Sequence, residues 1–94
     1  MNEEKIELHA IVKGHVQGVF FRANVCEISQ KIGLAGTVRN MEDGTVEIYA
    51  QGTAPQLEAF VTKLKQNPGR SRVDTVETKF FDPQRDYTSF KVVY

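Results

Sequence analysis

The chain has one cysteine, Cys26, no tryptophan and no imbalance of charge. A single thiol excludes an internal disulfide and leaves no paired-thiol site for metal or redox chemistry. Twelve basic and twelve acidic residues give a formal net charge of zero. No whole-molecule field therefore draws in nucleic acid or an acidic membrane, and any anion binding must be local. The apolar runs are far shorter than the roughly 20 residues that cross a bilayer, and the opening Met-Asn-Glu-Glu-Lys has no apolar signal core. Also missing are a His/Cys metal spacing, a paired-carboxylate motif and the strained nucleophile turn of serine hydrolases. These absences predict a cytoplasmic monomer without a metal site or a membrane or nucleic-acid partner. Ninety-four residues suffice for one domain over 1–94 with a single core. Residues 1–5 read as a flexible lead.

Regular periodicity fills the rest. Ile6, Leu8, Ala10 and Val12 alternate with Glu7, His9, Ile11 and Lys13, as in a strand with one buried face. Phe21, Val25, Ile28 and Ile32 recur at helical spacing, Cys26 lies beside that stripe, and Gly33 is placed to end the helix. Gly36–Asn40 and Thr45–Ala50 are strand-like runs joined through Asp43-Gly44, a strong hairpin signal. Thr53 with Gln56 three residues later fits a capping box ahead of Leu57, Phe60, Val61 and Leu64. Val73–Phe81 and the alternating Phe90, Val92 and Tyr94 read as two more strands, separated by Asp82-Pro83. The order strand, helix, strand, strand, helix, strand predicts an α+β, ferredoxin-like sandwich (βαββαβ). Its antiparallel sheet would carry two helices on one face and a short fifth C-terminal strand. Glu7, His9, Lys13, Glu47, Tyr49 and Gln51 would then line the opposite face, in water.

Between the first strand and helix lies Gly-His-Val-Gln-Gly-Val-Phe-Phe-Arg, residues 14 to 22. Gly14 and Gly18 permit backbone angles at which successive N–H groups converge on one point. The unpaired amides and positive dipole end of the following helix would face the same space. Arg22 opposes that dipole by roughly 0.3–1 kcal/mol, which suggests an anion held between the guanidinium and the amides. Taken singly, the glycines could serve only to turn the chain, Arg22 could be a solvated surface cation, and Asn40 could be a turn residue.

The run Gly14–Arg22, followed by Gly36-Thr37-Val38-Arg39-Asn40 and Asp43-Gly44-Thr45-Val46-Glu47, resembles the acylphosphatase family. Gly33-Leu34 and Tyr87–Val92 are similar too, so the likeness spans nearly the whole chain. The resemblance implies a ferredoxin-like fold, no cofactor, and hydrolysis of acyl phosphates to a carboxylate and inorganic phosphate. It also implies that Arg22 binds phosphate and Asn40 positions the attacking water. The phosphate-binding loop would comprise His15, Val16, Gln17, Gly18, Val19, Phe20, Phe21 and Arg22, with the His15 side chain facing solvent. Met41 departs from many relatives, which put a small hydroxylated residue there.

The sparse chemistry suits such a substrate. A carboxylate leaving group has a conjugate-acid pKa of about 4 and departs as an anion near neutral pH without a proton donor. An alkyl phosphate monoester would expel an alkoxide, so a site lacking an acid or metal should handle it poorly. Two rival readings share the fold: a non-catalytic anion binder, which would not need Asn40, and an RNA-recognition module using the open sheet face. Against the second, Glu47, Tyr49 and Gln51 offer one ring beside an acid where a basic, aromatic-rich strand is needed.

Overall fold

The computed structural model describes residues 4–94. Most of the lead expected over 1–5 lies outside them; Glu4 and Lys5 are exposed and irregular. Seven elements follow: β1 (Ile6–His15), α1 (Phe21–Ile32), β2 (Ala35–Asn40), β3 (Val46–Gly52), α2 (Ala54–Leu64), β4 (Arg72–Phe81) and β5 (Phe90–Val92). Their local signals match the sequence. Gly33 closes α1, its amide and that of Leu34 both donating to the Ser29 carbonyl at 2.9 Å. Thr53 caps α2 by accepting from the Gln56 amide, while Gln56 Oε1 accepts from the Thr53 amide at 2.9 Å. Gln56 Nε2 also donates to the Ile32 carbonyl at 3.1 Å, tying the end of α1 to the start of α2.

The strands form one sheet in the order β4-β1-β3-β2-β5. β1 runs antiparallel to β3 and β4, and β2 antiparallel to β3. β5, however, runs parallel to β2, with Val38 opposite Val92, so the sheet is mixed where an antiparallel one was expected. The reason lies in the connection. β4 ends beside Glu7, at the sheet end where β2 begins, and the chain crosses that end to enter β5 in the same direction as β2. Alternation in sequence specifies a strand's faces but not the direction of its neighbour.

The helices cover one face, α1 against β2 and β5, α2 against β3 and β4. Leu8, Ala10, Val12, Val38, Val46, Ile48 and Ala50 from the sheet meet Phe21, Val25, Leu57, Phe60 and Leu64 from the helices, all fully or almost fully buried. Truncating Phe21 or Phe60 to alanine would cost about 3–5 kcal/mol, a large share of the 5–15 kcal/mol typical of a whole domain.

The other face differs from expectation. Glu7 is 0% and Gln51 3% exposed, because the segment between β4 and β5 folds over that end of the sheet. Glu7 Oε1 accepts from Gln51 Nε2 (2.8 Å) and from the Gln84 amide (2.9 Å), and Gln51 also donates to the Arg85 carbonyl. The Arg85 guanidinium lies over the Tyr49 ring, 4.7 Å from its centroid. His9 is no simple surface residue either: its Nε2 lies 2.9 Å from Glu47 Oε2, and Arg39 Nε donates to Glu47 Oε1 at 2.9 Å.

Burial pushes the Glu47 carboxyl up, but the hydrogen bonds and charges of His9 and Arg39 outweigh it and hold the pKa below the ordinary carboxylate value. A depressed folded-state pKa contributes stability above the unfolded-state pKa that is lost as pH falls through the folded value. Glu47→Gln should therefore lower stability at pH 7 by about 1 kcal/mol, roughly 4–8 °C in Tm for a domain of this size. In thermal melts across pH the gap from wild type should close under acid conditions; a gap independent of pH would refute the role of the charge.

Candidate active site

The loop after β1 is bent by residues that fix its backbone. At the Lys13/Gly14 step the β1–β4 register shifts, and a Cβ on Gly14 (φ 137°) would collide with the Arg72 carbonyl. Gly18 has φ 74° with no atom within 4 Å of where a Cβ would stand, so glycine is there for its backbone angle alone. Phe20 is also left-handed, at φ 59° and ψ 24°, a conformation costing an ordinary L-residue roughly 1–2 kcal/mol. It occupies the N-cap of α1 and makes no side-chain capping bond. The first backbone bond of α1 runs from the Asn24 amide to the Phe20 carbonyl, at 3.1 Å. Among the described residues, the amides of Gln17 to Ala23 reach no protein acceptor.

Three attachments hold this open loop in place. Val16 and Phe21, each 1% exposed, root its two ends in the core. Between them the Gln17 side chain reaches across to the β2–β3 hairpin, its Nε2 donating to the Met41 and Thr45 carbonyls at 2.9 Å each. The hairpin is itself closed by the Met41 amide on the Thr45 carbonyl (2.8 Å) and by Asp43 Oδ1, which accepts from the Thr45 amide and hydroxyl. Met41 thus serves through its backbone.

Asn40 ends β2 opposite Val46, itself opposite Val12, at the sheet end from which the loop departs. Arg22 and Asn40 consequently line one cleft of about 380 Å³. Asn40 Oδ1 is buried with no hydrogen-bond partner. Such an orphan costs about 1–3 kcal/mol and calls for an explanation. Arg22 has no carboxylate within ion-pair distance among the described residues; its guanidinium lies 5.0 Å from the centroid of the Tyr94 ring. One turn further on, Cys26 is half-buried and burial pushes its thiol pKa up, away from a reactive thiolate. No three His, Cys, Asp or Glu side chains among the described residues gather to hold a metal ion.

Of the residues expected from sequence, Val16, Gly18, Phe20, Phe21, Arg22 and Asn40 line the cleft. Gln17 clamps the hairpin and Val19 packs on the core, both outside the lining. His15 is the exposed last residue of β1, opposite Arg72, and also lies outside it. Sequence reading missed Ala23, Val92 and Tyr94. Val92 stands opposite Val38, so two residues further along Tyr94 comes level with Asn40, and only the parallel register reveals this. The assembled groups can hold a tetrahedral oxyanion on amides and a guanidinium, with a hydrogen-bond acceptor beside it.

A family model described as Acylphosphatase matches residues 8–92. An acylphosphatase of Lactobacillus johnsonii is 44% identical over 84 residues, covering 88% of this chain and 92% of that one. One of Legionella pneumophila (strain Paris) is 40% identical over 86 residues, covering 92% and 93%. The crystal structure of acylphosphatase from Bacillus subtilis superposes with a TM-score of 0.91 at 36% identity, covering 95% of this chain and 99% of that one.

Gly18→Ala introduces no clash yet imposes a left-handed angle on alanine. Stability should fall by roughly 1 kcal/mol, and inorganic phosphate, followed by titration calorimetry, should bind about tenfold more weakly. Unaltered phosphate affinity would separate the loop's conformation from anion binding.

Proposed function

Because the chain belongs to the acylphosphatase family and hydrolyses acyl phosphates, we propose that Arg22, the loop amides and Asn40 divide that reaction between them. The phosphoryl group rests on the unpaired amides around Gly18 and at the start of α1, with the Arg22 guanidinium gripping two of its oxygens. Asn40 Oδ1 accepts a hydrogen bond from water and aims its oxygen at phosphorus. Water attacks, the bond from phosphorus to the acyl oxygen breaks, and the carboxylate leaves with the electron pair. The surplus proton passes to a phosphoryl oxygen or to solvent. Charge developing on the phosphoryl oxygens meets donors already in place.

One observation carries this assignment above the others: a buried, unpartnered Asn40 Oδ1 in the same cleft as an arginine with no carboxylate partner among the described residues. An anion binder without catalysis has no use for the first. RNA binding on the open sheet face is disfavoured, since Arg85 already lies over Tyr49 and Glu47 already holds His9 and Arg39. We read the protein as a cytoplasmic monomer acting on a free small molecule, in keeping with its single cysteine and zero net charge. No helix among the described residues is long and apolar enough to cross a membrane.

Turnover of an aryl acyl phosphate should continue in excess chelator, while an alkyl phosphate monoester should be cleaved far more slowly. Arg22→Gln should reduce kcat/KM on the order of 10²–10³-fold. Arg22→Lys should recover little, since a point charge lacks the planar fork. Asn40→Ala should lower kcat about a hundredfold while inorganic phosphate still binds. Retained turnover in Asn40→Ala would remove that residue from the mechanism.

A further inference from the structure

A net charge of zero conceals an uneven placement of charge. The chain leaves β3 for α2 at Gly52, opposite Ile6, and enters β4 at Arg72, opposite His15, so α2 runs toward the sheet end that carries the phosphate loop. The segment after it lies at that end. It is basic, with Lys63, Lys65, Arg70 and Arg72 inside ten residues. Ion pairing removes part of this charge, since Arg72 Nε donates to Asp74 at 3.1 Å and Lys13 reaches Glu77 at 2.8 Å. Lys63, Lys65 and Arg70, like Arg22, have no carboxylate within ion-pair distance among the described residues. The hairpin beside Asn40 brings two acids to the same end, Glu42 and Asp43, and Asp43 is turned onto Thr45. Four cations against two acids leave this end positive. In a neutral chain the remainder is correspondingly negative.

Lys63 and Lys65 have a plain structural use, because they close α2, where cations offset the helix dipole. Arg70 has no such use. Its place is nonetheless firmly fixed: the Ser71 amide and hydroxyl both donate to the Pro68 carbonyl, at 3.1 and 2.7 Å, and Asn67 Oδ1 accepts from the Val73 amide at 2.8 Å. This turn is moored to the start of α1. A Cβ on Gly69 would collide with Asn24 Nδ2, and Asn24 is the residue whose amide makes the first backbone bond of that helix. A rigid turn thus holds an exposed guanidinium beside the phosphate-binding end of α1 while keeping it out of the cleft lining.

We propose that Arg70, seconded by Lys65, is an electrostatic guide that concentrates the anionic substrate at the cleft mouth and takes no part in the chemistry. This inference rests on the acyl-phosphate reading above and adds the residues that govern capture. A phosphoryl group carries about −1.5 to −2 charge at pH 7, so each cation at this end attracts it. Such attraction reaches about 30 Å at 0.01 M salt and about 8 Å at 0.15 M. Its signature is therefore loss with added salt.

The test follows acetyl phosphate hydrolysis from about 0.01 M to about 0.5 M sodium chloride. Wild-type kcat/KM should fall with salt through KM, with kcat unchanged. Arg70→Gln should lower kcat/KM about threefold in dilute buffer and rejoin wild type at high salt. Lys65→Gln combined with Arg70→Gln should lower it further and flatten the salt dependence, whereas Arg70→Lys, which keeps the charge, should follow wild type. Thermal melts should show each variant folded. Chloride competing at the phosphate site would give wild type and Arg70→Gln equal slopes, and that result overturns the guide alone. A deficit that persists at high salt, or that Arg70→Lys fails to rescue, makes the residue structural and also overturns it. A wild type without turnover at any ionic strength removes the hydrolytic reading and the guide with it.

Discussion

Backbone amides need acceptors, and between Gln17 and Ala23 the chain supplies none of its own among the described residues. The rest of the site follows from that constraint. Gly18 and Phe20 hold left-handed angles within the stretch whose amides find no protein acceptor, and Val16 and Phe21 root the loop in the core. Gln17 then fastens it to the hairpin carrying Asn40. A site made from main-chain groups is cheap in side chains. On the proposed division of the reaction it needs one guanidinium and one amide, which would account for a sequence so poor in other catalytic residue types.

Much of this was legible beforehand, and the illegible parts share a cause. Strand faces, helix stripes, the Thr53–Gln56 cap and the loop's glycines are local signals, set by spacing within a few residues. Arg22 and Asn40 could be named because each sits in a recognisable run. Tyr94 could not, because its place depends on the parallel register of β5 with β2, which no period in either strand encodes. Glu7 and Gln51 misled for the same reason. Their parity assigns them to the open face, but the segment around Gln84 and Arg85 covers them, and that contact is decided by the path of the chain.

The two faces of the sheet have become different kinds of surface. One is an apolar layer under two helices, tied together through Gln56. The other is a polar face paired with itself, His9 and Arg39 on Glu47, Arg85 on Tyr49. A ligand there would have to break bonds already made. At the cleft the relation is reversed: among the described residues Asn40 Oδ1 and the amides of Gln17 to Ala23 have no protein partner.

The bonds around Glu7 also bear on how quickly the molecule assembles. Glu7 lies in the first strand, yet the amide that satisfies it belongs to Gln84, 77 positions away in the chain. β1 sits inside the sheet and must recruit β3 on one side and β4 on the other, both across long intervening segments. Closing such loops exacts entropy before the contacts return it, so folding belongs in the slower, non-local regime and not among the microsecond helical bundles. Glu7 therefore gains the Gln84 amide only late, and an interrupted chain lacking the final crossing would leave its buried side chain at the sheet's end with the Gln51 bond but not the Gln84 one.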